Sequence, residues 1–288
     1  MADELTKDVA PKTAVITMVM DTNKTGDQYV EDKVRSKLSK EVVEELRTLG
    51  YTPYVVFNEN TTPATKKVIQ DNAIGIREAE FGMGKAFMQA MRELDKTSKG
   101  FEYAVWMEVE KQPFVPLIAK TLAPLRYGGA DHVVPARNEM FEVPPLRSYP
   151  NFQAYTEMAG NSHFNRIAYG RKLDLADAEV RRSFLDVYFG PDAWNQSSVR
   201  QYFFDYEKND FPEKKFLWDI HMMPIIKMLN DGKYVRSVPI PYRHPASQTA
   251  AEESDMEYLK WVDKRIAQLT TISKMATSYR KFLDQTKT

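Results

Sequence analysis

The chain has 288 residues and balances 40 acidic side chains against 40 basic ones, so it carries no electrostatic footprint for nucleic acid or an anionic membrane. Cysteine is absent, which excludes a disulfide framework, a zinc–thiolate site and a cysteine nucleophile. Residues 1–12 are polar and lack the apolar core of a signal peptide, and no window approaches the roughly 18 apolar residues of a membrane span, so a soluble, cytoplasmic protein is expected.

Residues 13–20 form an apolar, β-branched run that reads as a buried first strand. A polar stretch precedes a helix in which Ser39 is the candidate cap, Val42, Val43, Leu46 and Leu49 make one face, and Gly50 is the stop. Residues 54–57 read as a second strand, 64–70 as a short helix and 73–76 as a third strand. Gly82 and Gly84 precede a helix carrying Phe87, Met88, Met91 and Leu94. A fourth strand over 103–107, a helix over 115–125 and a fifth strand over 132–135 follow. Strands alternating with helices predict an α/β fold, Rossmann-like, with a mostly parallel central sheet flanked by helices on both faces. Ligands in such sheets bind outside the carboxyl ends of the strands, where Asn58, Glu59, Glu108 and Glu110 fall.

Residues 136–160 bear prolines and aromatics without a clear period and read as a long functional loop. Helices are expected over 162–169, 179–188 and 218–229, and a strand over 234–240. From Glu252 onward, Leu259, Val262, Ile266, Leu269 and Ile272 make one apolar stripe on a helix. That stripe is expected to pack on the same domain, with a homodimer contact as the alternative. The expected division is a polar tail (1–12), one domain (13–250) and a C-terminal helix (251–288).

The stretch from Tyr103 to Pro113 is the most informative. Its apolar run ends in Glu108 and Glu110, two carboxylates that would share one face if the strand continued. Converging carboxylates make a hard-oxygen site for Mg²⁺ or Mn²⁺, although many strands simply end in solvated glutamates. Asn58 and Glu59 can equally cap the following helix. His221 reads as readily as a core histidine, His132 and His163 read as structural, and Arg137 reads as a phosphate contact or a solvated loop residue.

In order and spacing, residues 13–245 resemble the GT-A fold glycosyltransferases, nearest the branch of dolichyl-phosphate mannose synthases and the synthases that glycosylate glycerate or phosphoglycerate. Val56-Phe57-Asn58-Glu59 is similar to the second-strand motif that holds base and ribose, with Asn58 standing where aspartate is usual. Gly82-Met83-Gly84-Lys85 is similar to the segment beside the diphosphate, and Glu108-Val109-Glu110 to the metal motif, normally two aspartates. Each glutamate reaches about 1.5 Å further, the length of one bond. Trp218-Asp219-Ile220-His221 resembles the late acceptor-side helix. The strand ending in Tyr242-Arg243-His244 resembles the closing strand, past which a histidine completes the metal shell in the glycerate branch.

The resemblance implies hexose transfer from a GDP- or UDP-sugar to a small anionic or phosphate-bearing acceptor. Asn58, Glu59, Gly84, Lys85, Glu108 and Arg137 would meet the nucleotide sugar. Glu108, Glu110 and His244 would hold Mn²⁺ or Mg²⁺, and Asp219 and His221 would serve catalysis. Two rivals stand beside this reading. One is a sugar-phosphate nucleotidylyltransferase, poorly matched by Met20-Asp21-Thr22-Asn23-Lys24; the other is a non-catalytic binding protein of the same fold.

Overall fold

A computed structural model describes residues 2–19, 28–79, 83–97, 100–141, 152–204, 219–243 and 258–286. The strands are β1 (Thr13–Val19), β2 (Thr52–Phe57), β3 (Ile74–Arg77), β4 (Tyr103–Trp106), β5 (His132–Val133), β6 (Ala136–Arg137), β7 (Asp192–Asn195), β8 (Val235–Arg236) and β9 (Pro239–Ile240). The helices are α1 (Ala2–Val9), α2 (Gln28–Thr48), α3 (Pro63–Asn72), α4 (Met83–Thr97), α5 (Ile118–Tyr127), α6 (Phe152–Tyr169), α7 (Ala178–Arg181), α8 (Gln196–Ser198), α9 (Asp219–Asn230) and α10 (Tyr258–Thr286).

Seven strands form one sheet in the order β3-β2-β1-β4-β7-β5-β8. β1 pairs in parallel with β2 and β4, and β2 with β3, whereas β7 runs antiparallel to both β4 and β5. The fold is α/β, with a mostly parallel central sheet flanked by helices. β1 is central and buried along its whole length, as a strand covered on both faces must be. Its alternate residues feed two cores. Ile16 and Met18 meet α4, α6, α9 and α10 through Phe87, Phe164, Ile220 and Tyr279; Val15 meets α1, α2 and α5 through Val9, Leu46 and Leu122.

Local chemistry fixes several element ends. Gly50 (φ +89) closes α2 in a left-handed conformation that costs glycine nothing. Thr62 caps α3 by accepting from the Thr65 amide, with Pro63 opening the helix. On α4, Phe87, Ala90, Met91 and Leu94 are buried at helical spacing.

Several expectations are corrected. The N-terminus is not a tail: residues 2–9 are α1, Val9 and Ala10 are fully buried, and Asp8 pairs with Arg126 of α5 at 2.9 Å. Ser39 lies buried inside α2 rather than at its start, so it caps nothing. The segment 136–160 is not a loop throughout, because β6, a 3₁₀ turn (Asn138–Met140) and the start of α6 lie in it; residues 142–151 are outside the described residues. The strand expected over 234–240 is two short strands in different sheets, since β9 leaves the main sheet to pair with β6. Of the expected 179–188 helix only 179–181 is helical, as the end of α7. The α9 and α10 helices lie where the apolar patterns put them. Among the described residues no helix is long and apolar enough to cross a membrane.

Candidate functional site

The carboxyl ends of β1, β2 and β4 share one edge of the sheet. Because β7 is antiparallel, its first residue Asp192 lies at that edge too, paired with Trp106. Asn58, directly after β2, is 5% exposed and accepts from the amides of Asn60 and Thr61 at 3.1 Å each, so its carboxamide ties a turn. It does not cap α3; Thr62 does. Glu59 is exposed, and its carbonyl accepts from Lys66 Nζ at 2.8 Å. Gly84 and Lys85 sit in the first turn of α4, the glycine buried and the lysine exposed.

β4 ends at Trp106, and the amide of Met107 donates to Ile16 O as the last bond of that register. Glu108 therefore precedes a 3₁₀ helix (Val109–Leu117) without a side-chain capping bond and Glu110 lies in its first turn, so the pair does not share a strand face. Glu108 Oε2 stands 3.7 Å from Lys111 Nζ. Its carboxylate backs onto Gly190 (φ +96), where a Cβ would come within 3.3 Å of Oε2. Phe189 packs on Tyr242, with ring centroids 4.5 Å apart. Burial pushes the Tyr242 phenol up; Arg137 opposes that, and Glu108, Glu110 and Glu139 add to it, which places all four charges around one ring.

Arg137 is 1% exposed and fully engaged. Nε and Nη2 grip Asp186 at 2.8 and 3.0 Å, Nη2 also meets Glu157 at 2.7 Å, and Nη1 meets Glu139 at 3.3 Å. Burial works against the guanidinium charge, but Asp186 and Glu157 outweigh it and raise its pKa. Asn161 Nδ2 donates to Asp186 at 2.6 Å. Neither phosphate contact nor solvation describes Arg137, which is the centre of a buried ion network.

On the opposite core, Asp219 and His221 open α9, and both are buried. His221 packs against the rings of Phe87 at 4.5 Å and Trp106 at 5.2 Å. Its Nδ1 lies 3.6 Å from Asp192 Oδ2, while His132 Nε2 lies 3.5 Å from Oδ1. These are ion-pair distances, and neither nitrogen of either ring finds a hydrogen-bond partner among the described residues. Burial pushes the Asp192 carboxyl up, yet the two imidazoles prevail and hold it below the usual carboxylate range.

The edge thus gathers Asn58, the first turn of α4, Glu108, Glu110, Asp219 and His221. Lys111 and Tyr242 pack on Phe189 beside Glu108, and Asp192 ends β7 at this edge, whereas Asp186 belongs to the Arg137 network. Gly82 and His244 lie outside the described residues. Among the described residues no group of three or more His, Cys, Asp or Glu side chains gathers as a metal shell would.

No protein-family model matches the chain, and no curated protein sequence does either. Solved structures do. The chain is similar to a mycobacterial protein with a TM-score of 0.50 and 12% identity, over 91% of this chain and 78% of that one. It is also similar to the 4-diphosphocytidyl-2C-methyl-D-erythritol synthase of Anaerococcus prevotii, at TM-score 0.48 and 11% identity over 89% and 99% of the two chains. A third similarity is to the glucosyl-3-phosphoglycerate synthase of M. tuberculosis, at TM-score 0.46 and 11% identity over 91% and 84%. At these identities the likeness is one of fold alone.

Proposed function

We propose that this chain is a glycosyltransferase that moves a hexose from a nucleoside diphosphate sugar to a small anionic acceptor. The observation that carries the reading is Glu108 and Glu110 following β4 at the carboxyl edge of the sheet, with β1 alone between β4 and the strand that leads into the Asn58 turn. That edge is where open α/β sheets bind nucleotides. The first turn of α4 supports it, because helix-terminal amides and a lysine such as Lys85 suit an anionic diphosphate.

Glu108 and Glu110, with His244, would hold Mg²⁺ or Mn²⁺; their oxygens suit a hard cation, and Gly190 leaves the Glu108 carboxylate clear of a side chain. When bound, such an ion neutralises charge developing on the diphosphate leaving group. The acceptor hydroxyl would attack the anomeric carbon as its bond to the diphosphate oxygen breaks. His221 would take the hydroxyl proton, and Asp192 would stabilise the resulting imidazolium. Asp219, in the same turn, would contact the sugar. Arg137 stays out of the ligand set, since an anion would have to displace three carboxylates.

A thermal-shift panel of UDP- and GDP-sugars with and without Mn²⁺ tests the reading. A ligand present at a hundred times its Kd should stabilise the folded chain by about 2.7 kcal/mol. Glu110→Gln should abolish that gain while melting like the parent when no ligand is present. No shift with any nucleotide sugar, metal present or absent, would sink the proposal.

A further inference from the structure

Both ring nitrogens of His132 and both of His221 are buried without a hydrogen-bond partner among the described residues. Buried polar atoms left unpaired are rare and call for a reason beyond packing. The fold sets both rings on one carboxylate. Along β7, Asp192 and Trp194 share a face, and His132 of β5 stands opposite Trp194, so it lies diagonal to Asp192. His221 reaches the same face from α9. The two rings take different oxygens: His132 Nε2 lies 3.5 Å from Oδ1, and His221 Nδ1 lies 3.6 Å from Oδ2.

An ionised carboxylate only accepts, so it repels a bare ring nitrogen and attracts one that carries hydrogen. Asp192 is ionised, because the two imidazoles hold its carboxyl below the usual range against the effect of burial. With no hydrogen bond to any other described group, nothing else selects the tautomer of either ring. Each neutral imidazole therefore carries its hydrogen on the nitrogen facing Asp192. That leaves His132 bare at Nδ1 and His221 bare at Nε2. His132 is completely buried, whereas His221 keeps 8% of its side chain exposed and is the outer ring of the two.

We propose that His132 is a positioning residue for His221: by holding Oδ1 it fixes the Asp192 carboxylate, which keeps His221 in the Nδ1–H tautomer with Nε2 as its proton-accepting atom. The tautomers do not depend on the glycosyltransferase reading above; the use of Nε2 in transfer rests on it. As plain core histidines the two rings would be expected to bond backbone carbonyls, and neither does so among the described residues.

Long-range ¹H–¹⁵N correlation spectra of the ligand-free protein read each tautomer, and with four histidines in the chain every signal is assignable by substitution. At about pH 9, above the ordinary imidazole range, His132 should appear only as Nε2–H and His221 only as Nδ1–H. In Asp192→Asn the carboxamide offers one acceptor and one donor, so one ring and only one should switch. His132→Phe frees Oδ1, and His221 should become a mixture of both tautomers. His132→Gln restores a donor and should return His221 to a single form. Either parent ring in the other tautomer or cationic at that pH, none or two switches in Asp192→Asn, an unchanged His221 in His132→Phe, or no restoration by His132→Gln overturns the proposal. If His132→Phe does not fold, the count of switches in Asp192→Asn decides. Failure of every UDP- and GDP-sugar to bind would remove the glycosyltransferase reading and leave the tautomer result standing.

Discussion

Two buried ionic clusters lie on different cores of the molecule, and they are built in opposite proportion. Around Arg137 one cation serves three carboxylates; around Asp192 one carboxylate serves two imidazoles. The first is held by short, directed hydrogen bonds, two of them bidentate to Asp186. The second has ion-pair distances without hydrogen bonds and is enclosed by Phe87, Trp106 and Trp194. A guanidinium never gives up its proton in a folded protein, whereas an imidazole does so near neutrality. The Arg137 cluster is therefore a fixed tie between β6, α6 and the chain before β7. The Asp192 cluster is a looser contact of one carboxylate with two imidazoles inside aromatic walls.

The sharpest way to break this contrast is Arg137→Met. Removing the guanidinium takes from the buried Asp186 and Glu157 the positive charge that pairs them, and should cost about 3–5 kcal/mol in urea unfolding. A loss under about 1 kcal/mol would mean the network is not a structural tie. Asp192→Asn should cost less, about 1–3 kcal/mol at pH 7, because the aromatic walls stay in place.

Asp192→Asn also has a pH signature. The folded-state pKa of Asp192 is depressed, so its contribution is present above the unfolded value and is lost as acid takes the pH through the lower folded value. The parent should lose stability in acid below about pH 4, and Asp192→Asn should lose less there. Parallel pH curves would refute the ion pairing.

Glu139 gives the smallest effect and the opposite sign. Burial raises its pKa despite Arg137, so the folded chain holds this proton more tightly and stability falls as pH rises above the ordinary value. With 40% of the side chain exposed, solvent mutes the term, and Glu139→Gln should change stability at pH 7 by no more than about 0.5 kcal/mol. A loss comparable to that of Arg137→Met would make Glu139 an equal member of the network.

The parts legible in the sequence were those written in local pattern. β1, β2 and β4 are continuous apolar runs, and α10 carries its stripe in plain periodicity. β7 escaped because Asp192–Asn195 is four residues with a polar residue at each end. Its strand character comes from β4 and β5 on either side, not from itself. The Glu108–Glu110 geometry is hidden from the sequence for a similar reason: where β4 stops depends on its sheet partners, and the chain turns into a 3₁₀ helix carrying Pro113 and Pro116. Local pattern leaves Arg137 open to phosphate or solvent because Asp186, its main partner, lies 49 residues on. The local pattern offers Asn58 as a cap of the following helix, but its carboxamide ties a turn and the cap is Thr62.

The position of β7 has a consequence for how the chain is made. The β1 partner of β4 precedes it in the chain, but its other edge waits for residues 192–195. On a ribosome that interval leaves Tyr103–Trp106 as an open, apolar strand edge while some eighty-six further residues emerge. Such an edge is a template for pairing with other nascent chains. Chaperone dependence during synthesis should therefore concentrate on the span between β4 and β7, and the insertion of four residues ends it.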